Sequence, residues 1–350
     1  MKSWDVIIVG GGIIGLSLSI ELRTKGLRVL VVERGEPGHE ASRASAGMLA
    51  SETFDNLSPL RDLATASARM YPEFVHELED ESGIHVDLRD QGTLDFSFSH
   101  GVDGEAEVVP PKELSELEPS LPETLGTAHY LRERSVDPRQ LVSSALKTAK
   151  HRGVDISSGT TVNEILVADG HVTGVRTENT SYSGPTIVNC SGAWAGQISP
   201  TLAPVRPVKG QALSVVGGPK INHVLTFADV YVVPRSDGRL LIGASVEEAG
   251  YDKRVDADTT QRLRQAAVSA VPALRQAKIL EVWAGLRPGT PDNFPLLGAT
   301  TIPGYFVASG HFRDGILLAP ITAKLITHVI SNENPEYDLA AFSPMRFSKE

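Results

Sequence analysis

Asp5 to Glu33 read DVIIVGGGIIGLSLSIELRTKGLRVLVVE, a short apolar run, a glycine turn, a helical stretch and a second apolar run ending in a carboxylate. Val6, Ile7, Ile8 and Val9 form an unbroken β-rich run, the pattern of a parallel strand covered on both faces. Gly10, Gly12 and Gly15 then give the spacing G-x-G-x-x-G. The first permits a tight turn, the second lets a pyrophosphate approach the backbone, and the third lets the helix pack closely on the strand. The spacing predicts a helix over Ile13–Thr24, whose unpaired N–H groups would receive the diphosphate. Gly26 ends that helix, Arg28–Val32 form the next strand, and Glu33 stands where a carboxylate binds ribose hydroxyls. A glycine triplet alone says little. Strand, triplet, helix, strand and terminal acid in this order point to a dinucleotide-binding unit.

The bulk of the chain agrees with that start. It has 350 residues, 41% of them hydrophobic, enough for a large core and two domains. The apolar run after Lys2 raises a secretory leader as an alternative, but Asp5 lies inside it, glycines break it, and no small-residue cleavage site follows. No stretch reaches the ~18 apolar residues of a membrane helix, so we expect a soluble, cytoplasmic protein. The single cysteine, Cys190, ends a strand-like run and excludes an intramolecular disulfide, which fits a reducing compartment. A formal net charge of −10 argues against nucleic acid or an anionic membrane as partner. The histidines show no ligand spacing, and no metal is expected.

Along the chain, Leu60–Ser82 carries apolar residues at helical spacing. Ile84–Phe98 alternates like strands around Gly92, and an acidic, proline-containing stretch from His100 to Pro122 reads as a surface excursion. Asp137-Pro138-Arg139 is a helix start, and the helix Gln140–His151 leads to a third parallel strand at Val154–Ile156. Thr161–Val167 and His171–Arg176 flank Asp169-Gly170, a hairpin signal. Thr186–Asn189 is another buried strand. Strands dominate from Val205 to Leu286 (Ala212–Val216, Val230–Val233, Leu240–Gly243, Ile279–Trp283), with one helix near Thr259–Val271. A strand at Tyr305–Ser309 and a helix at Gly315–Ile330 close the chain. The expected fold class is α/β with an α+β second part. A discontinuous Rossmann-like domain takes residues 1–83, 135–205 and 287–350. A substrate domain with a mixed or antiparallel sheet takes 84–134 and 206–286.

Glu33 does not separate NAD from FAD. The small-residue run Glu40–Leu49 can lie flat against a bulky ring system and offer it backbone N–H groups. Gly310-His311-Phe312-Arg313-Asp314-Gly315 opens the last helix, whose positive end would face the pyrimidine edge of a flavin. No second G-x-G-x-x-G occurs, so the chain carries no separate NAD(P)H domain of that type.

With these pieces the chain resembles the FAD-dependent D-amino-acid oxidase superfamily, and most closely the glycine oxidases of thiamine biosynthesis. The resemblance rests on Gly10–Gly15, Glu40–Ala50, ProValLysGlyGln (207–211), TyrValValProArg (231–235), TrpAlaGlyLeuArgProGlyThrProAsp (283–292) and GlyHisPheArgAspGlyIleLeuLeuAlaPro (310–320). It implies non-covalent FAD, since Cys190 has no counterpart in the thiol that anchors flavin in sarcosine oxidases. It also implies a homo-oligomer. Fingerprint and resemblance together give as candidate FAD contacts Gly10, Gly12, Ile13, Ile14, Gly15, Glu33, Arg34, Ala41, Ser42, Ala46, Gly47, Met48, Val162, Gly192, Trp194, His311, Phe312, Arg313, Asp314, Gly315, Ile316 and Leu317.

Oxidising an α-amino acid requires a carboxylate held so that its Cα–H points at the flavin. A guanidinium on a rigid strand suits this because its parallel N–H bonds fix orientation as well as position. Arg287 is the candidate clamp, with a surface-turn residue before Pro-Gly as the plainer alternative. By resemblance Tyr231 closes over the same carboxylate, although it could be core, and Arg313 sits near substrate and flavin, although it could pair with Asp314 or Asp292. No protein base is expected; His311 reads as a loop residue contacting flavin. Glycine oxidases often carry a histidine two residues before this tyrosine, where the chain has Asp229, and the stretch Ser97–Pro110 is short. Both departures bear on substrate choice. The expected activity is oxidation of glycine or another small amine or D-amino acid, with oxygen reduced to peroxide. The alternatives are a D-amino-acid or cyclic-amine dehydrogenase passing electrons to a quinone-type acceptor, and a non-enzymatic flavin sensor.

Overall fold

The strands that flank the glycine turn divide their side chains between two cores. Val6, Ile8, Val29 and Val31 join one buried cluster, and Ile7, Val9, Leu30 and Val32 join another on the opposite face. This period of two is what a strand covered on both sides produces. The computed structural model describes residues 3–52, 58–97, 107–201 and 203–347. In it, Val6–Val9 pairs in parallel with Val29–Val32 on one side and Ile187–Asn189 on the other. Asp155–Ser157 extends the sheet beyond Val29–Val32, and Tyr305–Ser309 and then Leu296–Ala299 extend it the other way. Only the last pairing is antiparallel. Both ends of the chain therefore build one six-stranded sheet.

Helices cover one face. Leu16, Leu18 and Leu22 of Ile13–Thr24 pack with Tyr71, Val75 and Leu78 of Leu60–Ser82, and with residues of Pro138–His151 and Ala319–Ile330. A three-stranded antiparallel sheet (Val162–Ala168, His171–Thr177, Ser181–Ser183) covers the other. Asp169 and Gly170 both have positive φ, 50° and 78°, as the tight hairpin read from the sequence requires.

The middle of the chain forms a mixed eight-stranded sheet. Arg206–Val216 lies between Lys278–Gly289 and Leu240–Gly243, both antiparallel to it. Tyr231–Pro234 and Val224–Thr226 follow, and Thr93–Asp95, Ala128–Leu131 and Glu107–Val109 complete the far edge. The helix Ala257–Ala270 seals one face through Leu263 and Ala267. The other face turns Val233, Leu241, Tyr231 and Trp283 toward Ala46 and Met48.

Three expectations need correction. The first is the acidic stretch before Pro122, which is more than an excursion: Glu107–Val109 joins the sheet edge and Pro111–Leu117 is a helix anchored by buried Leu114. Its residues 100–106, like Phe98 at the end of the alternating segment and most of the short stretch before Pro110, lie outside the described residues. The second concerns the strands around Ala212 and Ile279, which are longer than read and run over Arg206–Val216 and Lys278–Gly289. Lys209, Gly210 and Gln211 are thereby strand residues, and Arg287 lies on a strand as expected. The third is the last helix, which begins at Ala319 and not Gly315, because Gly315–Leu318 are turns and Pro320 sits in the first helical turn, where its missing N–H costs nothing.

Asp137 joins the two sheets. Its Oδ1 accepts the N–H groups of Arg139 (2.9 Å) and Gln140 (3.4 Å), capping Pro138–His151. Its Oδ2 accepts Nη2 of Arg239 at 3.0 Å and lies 3.9 Å from Nε of Arg235, both from the eight-stranded sheet region. Arg235 is buried, with Nη1 lacking a partner among the described residues. Asp137→Ala should therefore destabilise the fold by about 3–5 kcal/mol in urea unfolding, because it leaves a buried guanidinium without its counter-charge. Asp137→Asn, which keeps the cap, should lose roughly 1 kcal/mol less. A loss under about 1 kcal/mol for the alanine variant would remove Asp137 from this role.

Candidate active site

A cavity of about 820 Å3 opens along the seam between the six- and eight-stranded sheets. Its floor is the glycine turn. Gly10 has φ 110°, and a Cβ on Gly15 would run into the Gly10 carbonyl, so the helix packs as closely on the strand as the fingerprint requires. Gly12, Ile13 and Ile14 line the cavity, and Gly12 caps the helix without any side-chain bond. Ser42 Oγ accepts the Ile13 N–H at 3.0 Å, whereas the N–H of Ile14 has no acceptor among the described residues. Glu33 is 8% exposed; its carboxylate accepts the N–H of Gly11 (2.7 Å) and of Gly35 (2.9 Å) and still faces the cavity. The acid is thus aimed by the backbone that it also braces.

The loop after Glu33 is small-residued for two reasons. Ala41, Ser42, Ala44, Ala46, Gly47 and Met48 line the cavity. Behind them, Trp283 Nε1 donates to the Ala44 carbonyl at 3.0 Å, and Arg235 Nη2 donates to the Ala46 carbonyl at 2.5 Å. A Cβ on Gly285 would stand 2.5 Å from Cβ of Ala44, so strand and loop meet over a methyl and a hydrogen.

Toward the outer end, Arg34 places its guanidinium 3.5 Å from the centre of the Trp194 ring, and Tyr251 lies 5.7 Å beyond that ring. Lys253 pairs with Glu40 at 2.9 Å, so the segment after Leu240–Gly243 is tied to the loop that follows Glu33. Val162 and Gly192 line the same region.

At the inner end Tyr231, Arg287, Arg313 and Asp229 all line the cavity. Arg287 is no surface-turn residue. Its Nη1 donates to the carbonyls of Lys209 (3.3 Å) and Ser245 (3.1 Å), while Nε and Nη2 have no partner among the described residues. Burial lowers its pKa, and the neighbouring Arg313 lowers it further. Burial raises that of Tyr231, whose ring crosses Gly243 so closely that a Cβ there would be 2.6 Å from the hydroxyl. Arg313 makes no ion pair among the described residues: Asp292 pairs with Arg346 at 2.8 Å, and Arg313 rests near the Phe312 ring. Asp229 is exposed, at the mouth.

His311, Phe312, Gly315 and Ile316 also line the cavity, but Gly15, Asp314 and Leu317 do not. Gly15 acts by packing. Leu317 is core, 1% exposed, and burial pushes the half-buried Asp314 up to about 6. Because Ala319–Ile330 begins late, the turn and not the end of the helix borders the cavity. Sequence reasoning missed the props of this turn: Ser67 Oγ and Tyr71 Oη donate to the carbonyls of Leu317 (2.6 Å) and Ile316 (2.5 Å). It also missed Phe227, Val246 and Ser309 in the lining, which no motif marks. Arg235 lies inside a quoted motif, yet its hold on the loop was equally unread.

The model of the family described as "DAO: FAD dependent oxidoreductase" matches residues 5–329. The chain is 38% identical to the bifunctional protein ThiO/ThiG of Synechocystis sp. over 98% of its own length, and spans 54% of that larger protein. It is 32% identical to the hydrogen cyanide synthase subunit HcnC of Pseudomonas aeruginosa, covering 100% of this chain and 97% of that one. The crystal structure of glycine oxidase from Geobacillus kaustophilus superposes with a TM-score of 0.94 at 32% identity, over 100% of both chains. The chain is a member of the DAO family of FAD-dependent oxidoreductases.

Proposed function

We propose that this protein oxidises glycine or a similarly small amine or D-amino acid, with residues 1–83, 135–205 and 287–350 holding FAD and residues 84–134 and 206–286 shaping the substrate end. One observation carries the reading. Arg287, half-buried on a strand, has its Nη1 held by two carbonyls and its Nε and Nη2 unpaired among the described residues, in the same cavity as the free Ile14 N–H at the start of the helix after Gly12. FAD is the family's cofactor, and the residues fit it: the N–H groups of Gly12 and Ile14 for the diphosphate, Glu33 for a ribose, and the small-residue loop for the ring system. When bound, FAD supplies the two-electron acceptor for the Cα–H of the amine.

The chain's own task is then orientation. Arg287 holds the carboxylate through two N–H bonds, and Tyr231, kept protonated by burial, donates to it. Arg313 adds a second positive charge, and Asp229 faces the ammonium side at the mouth. Among the described residues of the lining, His311 is not available as a proton acceptor. His311 is pushed down to about 3 by burial, and its Nε2 lies 3.1 Å from Thr322 Oγ1, so it stays a neutral imidazole. The substrate must lose its ammonium proton to solvent before oxidation. For glycine the balance is glycine, oxygen and water giving glyoxylate, ammonia and hydrogen peroxide. Cytoplasmic residence, a homo-oligomeric state and a place in thiamine biosynthesis belong to the same proposal, supported by the likeness to glycine oxidases and ThiO/ThiG proteins.

Arg287→Ala should cut kcat/KM by roughly 30- to 4000-fold, the cost of about 2–5 kcal/mol for a lost buried charge pair, while FAD remains bound and acid-extractable. Arg287→Lys should rescue poorly, since an ammonium lacks the fork. Activity within a few-fold of wild type would place the clamp elsewhere. With oxygen as sole acceptor, one peroxide should form per amine consumed; fast flavin bleaching by amine without oxygen uptake would identify a dehydrogenase instead. Stability should also carry a signature of His311. Its folded pKa of about 3 lies below the ordinary 6.5, so between these values the unfolded chain binds a proton that the folded chain refuses. Stability is therefore lost as pH falls, by about 1.4 kcal/mol per unit. Between pH 7 and 5 wild type should lose about 2 kcal/mol more than His311→Gln in denaturant unfolding; equal losses would contradict the buried neutral imidazole.

A further inference from the structure

ProValLysGlyGln (207–211) is a motif whose part in the site goes beyond the Lys209 carbonyl that accepts from Arg287. Its centre lies on the strand beside Arg287, with Val208 opposite Arg287 and Gly210 opposite Gly285. A Cβ on Gly210 would stand 2.5 Å from Nη2 and 2.6 Å from Cζ of Arg287, and closer still to Nη1. The backbone of Gly210 has no positive φ, so nothing in its conformation demands glycine. What demands it is the guanidinium.

We infer that Gly210 is a positioning residue whose missing side chain forms the seat of the Arg287 guanidinium, and that the residues on either side make that seat rigid. The inference rests on the reading of Arg287 as the carboxylate clamp. The Lys209 and Ser245 carbonyls take Nη1, so the seat is closed below by Gly210 and on one side by two acceptors. Those acceptors cannot drift. Lys209 and Glu247 exchange backbone bonds of 2.9 Å in both directions, and Ser245 N donates to the Gln211 carbonyl at 3.2 Å. Ser245 Oγ accepts the Gln211 N–H at 2.8 Å and donates to Glu247 Oε1 at 2.5 Å. Gln211, fully buried, donates to the same carboxylate at 2.8 Å and accepts the Asp256 N–H at 2.7 Å. Lys209 Nζ is bound to the Arg254 carbonyl at 2.7 Å and stands 3.5 Å from Glu247 Oε2. A methyl at position 210 meets only the end of the Arg287 side chain, so it is the guanidinium that gives way and not the braced acceptors. It must push the guanidinium off Nη1's acceptors and turn the free Nε–Nη2 edge away from the carboxylate.

A double-mutant cycle at positions 210 and 287 tests this, read by kcat/KM for glycine and by titration calorimetry of acetate, a bare carboxylate probe. Gly210→Ala should lower kcat/KM at least tenfold and weaken acetate at least tenfold, with the flavin spectrum unchanged. In the Arg287→Ala background the same substitution should change both by less than threefold, since the methyl then enters vacated space. Equal losses in both backgrounds, or a Gly210→Ala enzyme within threefold of wild type while Arg287→Ala is crippled, overturn the seat. An active Arg287→Ala enzyme overturns the clamp reading instead. If Gly210→Ala fails to fold, the Gly210→Ala/Arg287→Ala double variant decides. Recovery of a flavin-loaded fold shows that the clash is with the guanidinium; continued failure shows that it is not.

Discussion

A single buried carboxylate ties the two halves of this molecule together. Asp137 ends one half's helix and neutralises guanidiniums from the other, and the cavity lies along the seam it closes. A cap alone would be a local matter. Here the cap also holds Arg235, and Arg235 holds the Ala46 carbonyl of the loop that lines the cavity. The chain of buried contacts runs from helix start to sheet to the loop that lines the cavity and braces the loop against the elements behind it.

The electrostatics at the inner end follow from the same economy of counter-charges. Arg287 and Arg313 face one cavity and Arg313 disfavours the charge of Arg287, while the nearby Glu247 is engaged by Ser245 and Gln211. Two cations with little inside the protein to answer them form a site complementary to an anion. On the proposed reading a substrate carboxylate would relieve repulsion as it binds, so the gain would exceed the new bonds alone. The exposed Asp229 adds the opposite sign at the mouth, and the gradient between them matches the dipole of a zwitterion.

The dinucleotide half was legible because its constraints are local. Gly10 takes a positive φ and Gly15 packs on the Gly10 carbonyl, both within one turn, and Ile13–Thr24, Leu60–Ser82 and Tyr305–Ser309 have the bounds read from the sequence. Reading failed where the deciding partner is far along the chain. Lys278–Gly289 was read short because exposed Ile279, Leu280 and Val282 blur the alternation, and only pairing with Arg206–Val216 extends it. The late start of the last helix depends on carbonyls held by Ser67 and Tyr71, some 250 residues earlier. Gly210 and Arg235 belong to motifs quoted from the sequence, but their reasons are steric and cross-strand. Spacing cannot show them.

The contact between Gly285 and Ala44 carries a consequence for how such a sequence can change. Strand and loop meet there across one methyl, with no room for a second. What drift must conserve is then the summed volume of the pair, not either identity. A glycine at 44 frees space for an alanine at 285, whereas enlarging either alone wedges the seam apart and moves the Ala44 and Ala46 carbonyls off Trp283 and Arg235. The two positions form one unit of selection although 240 residues of chain separate them.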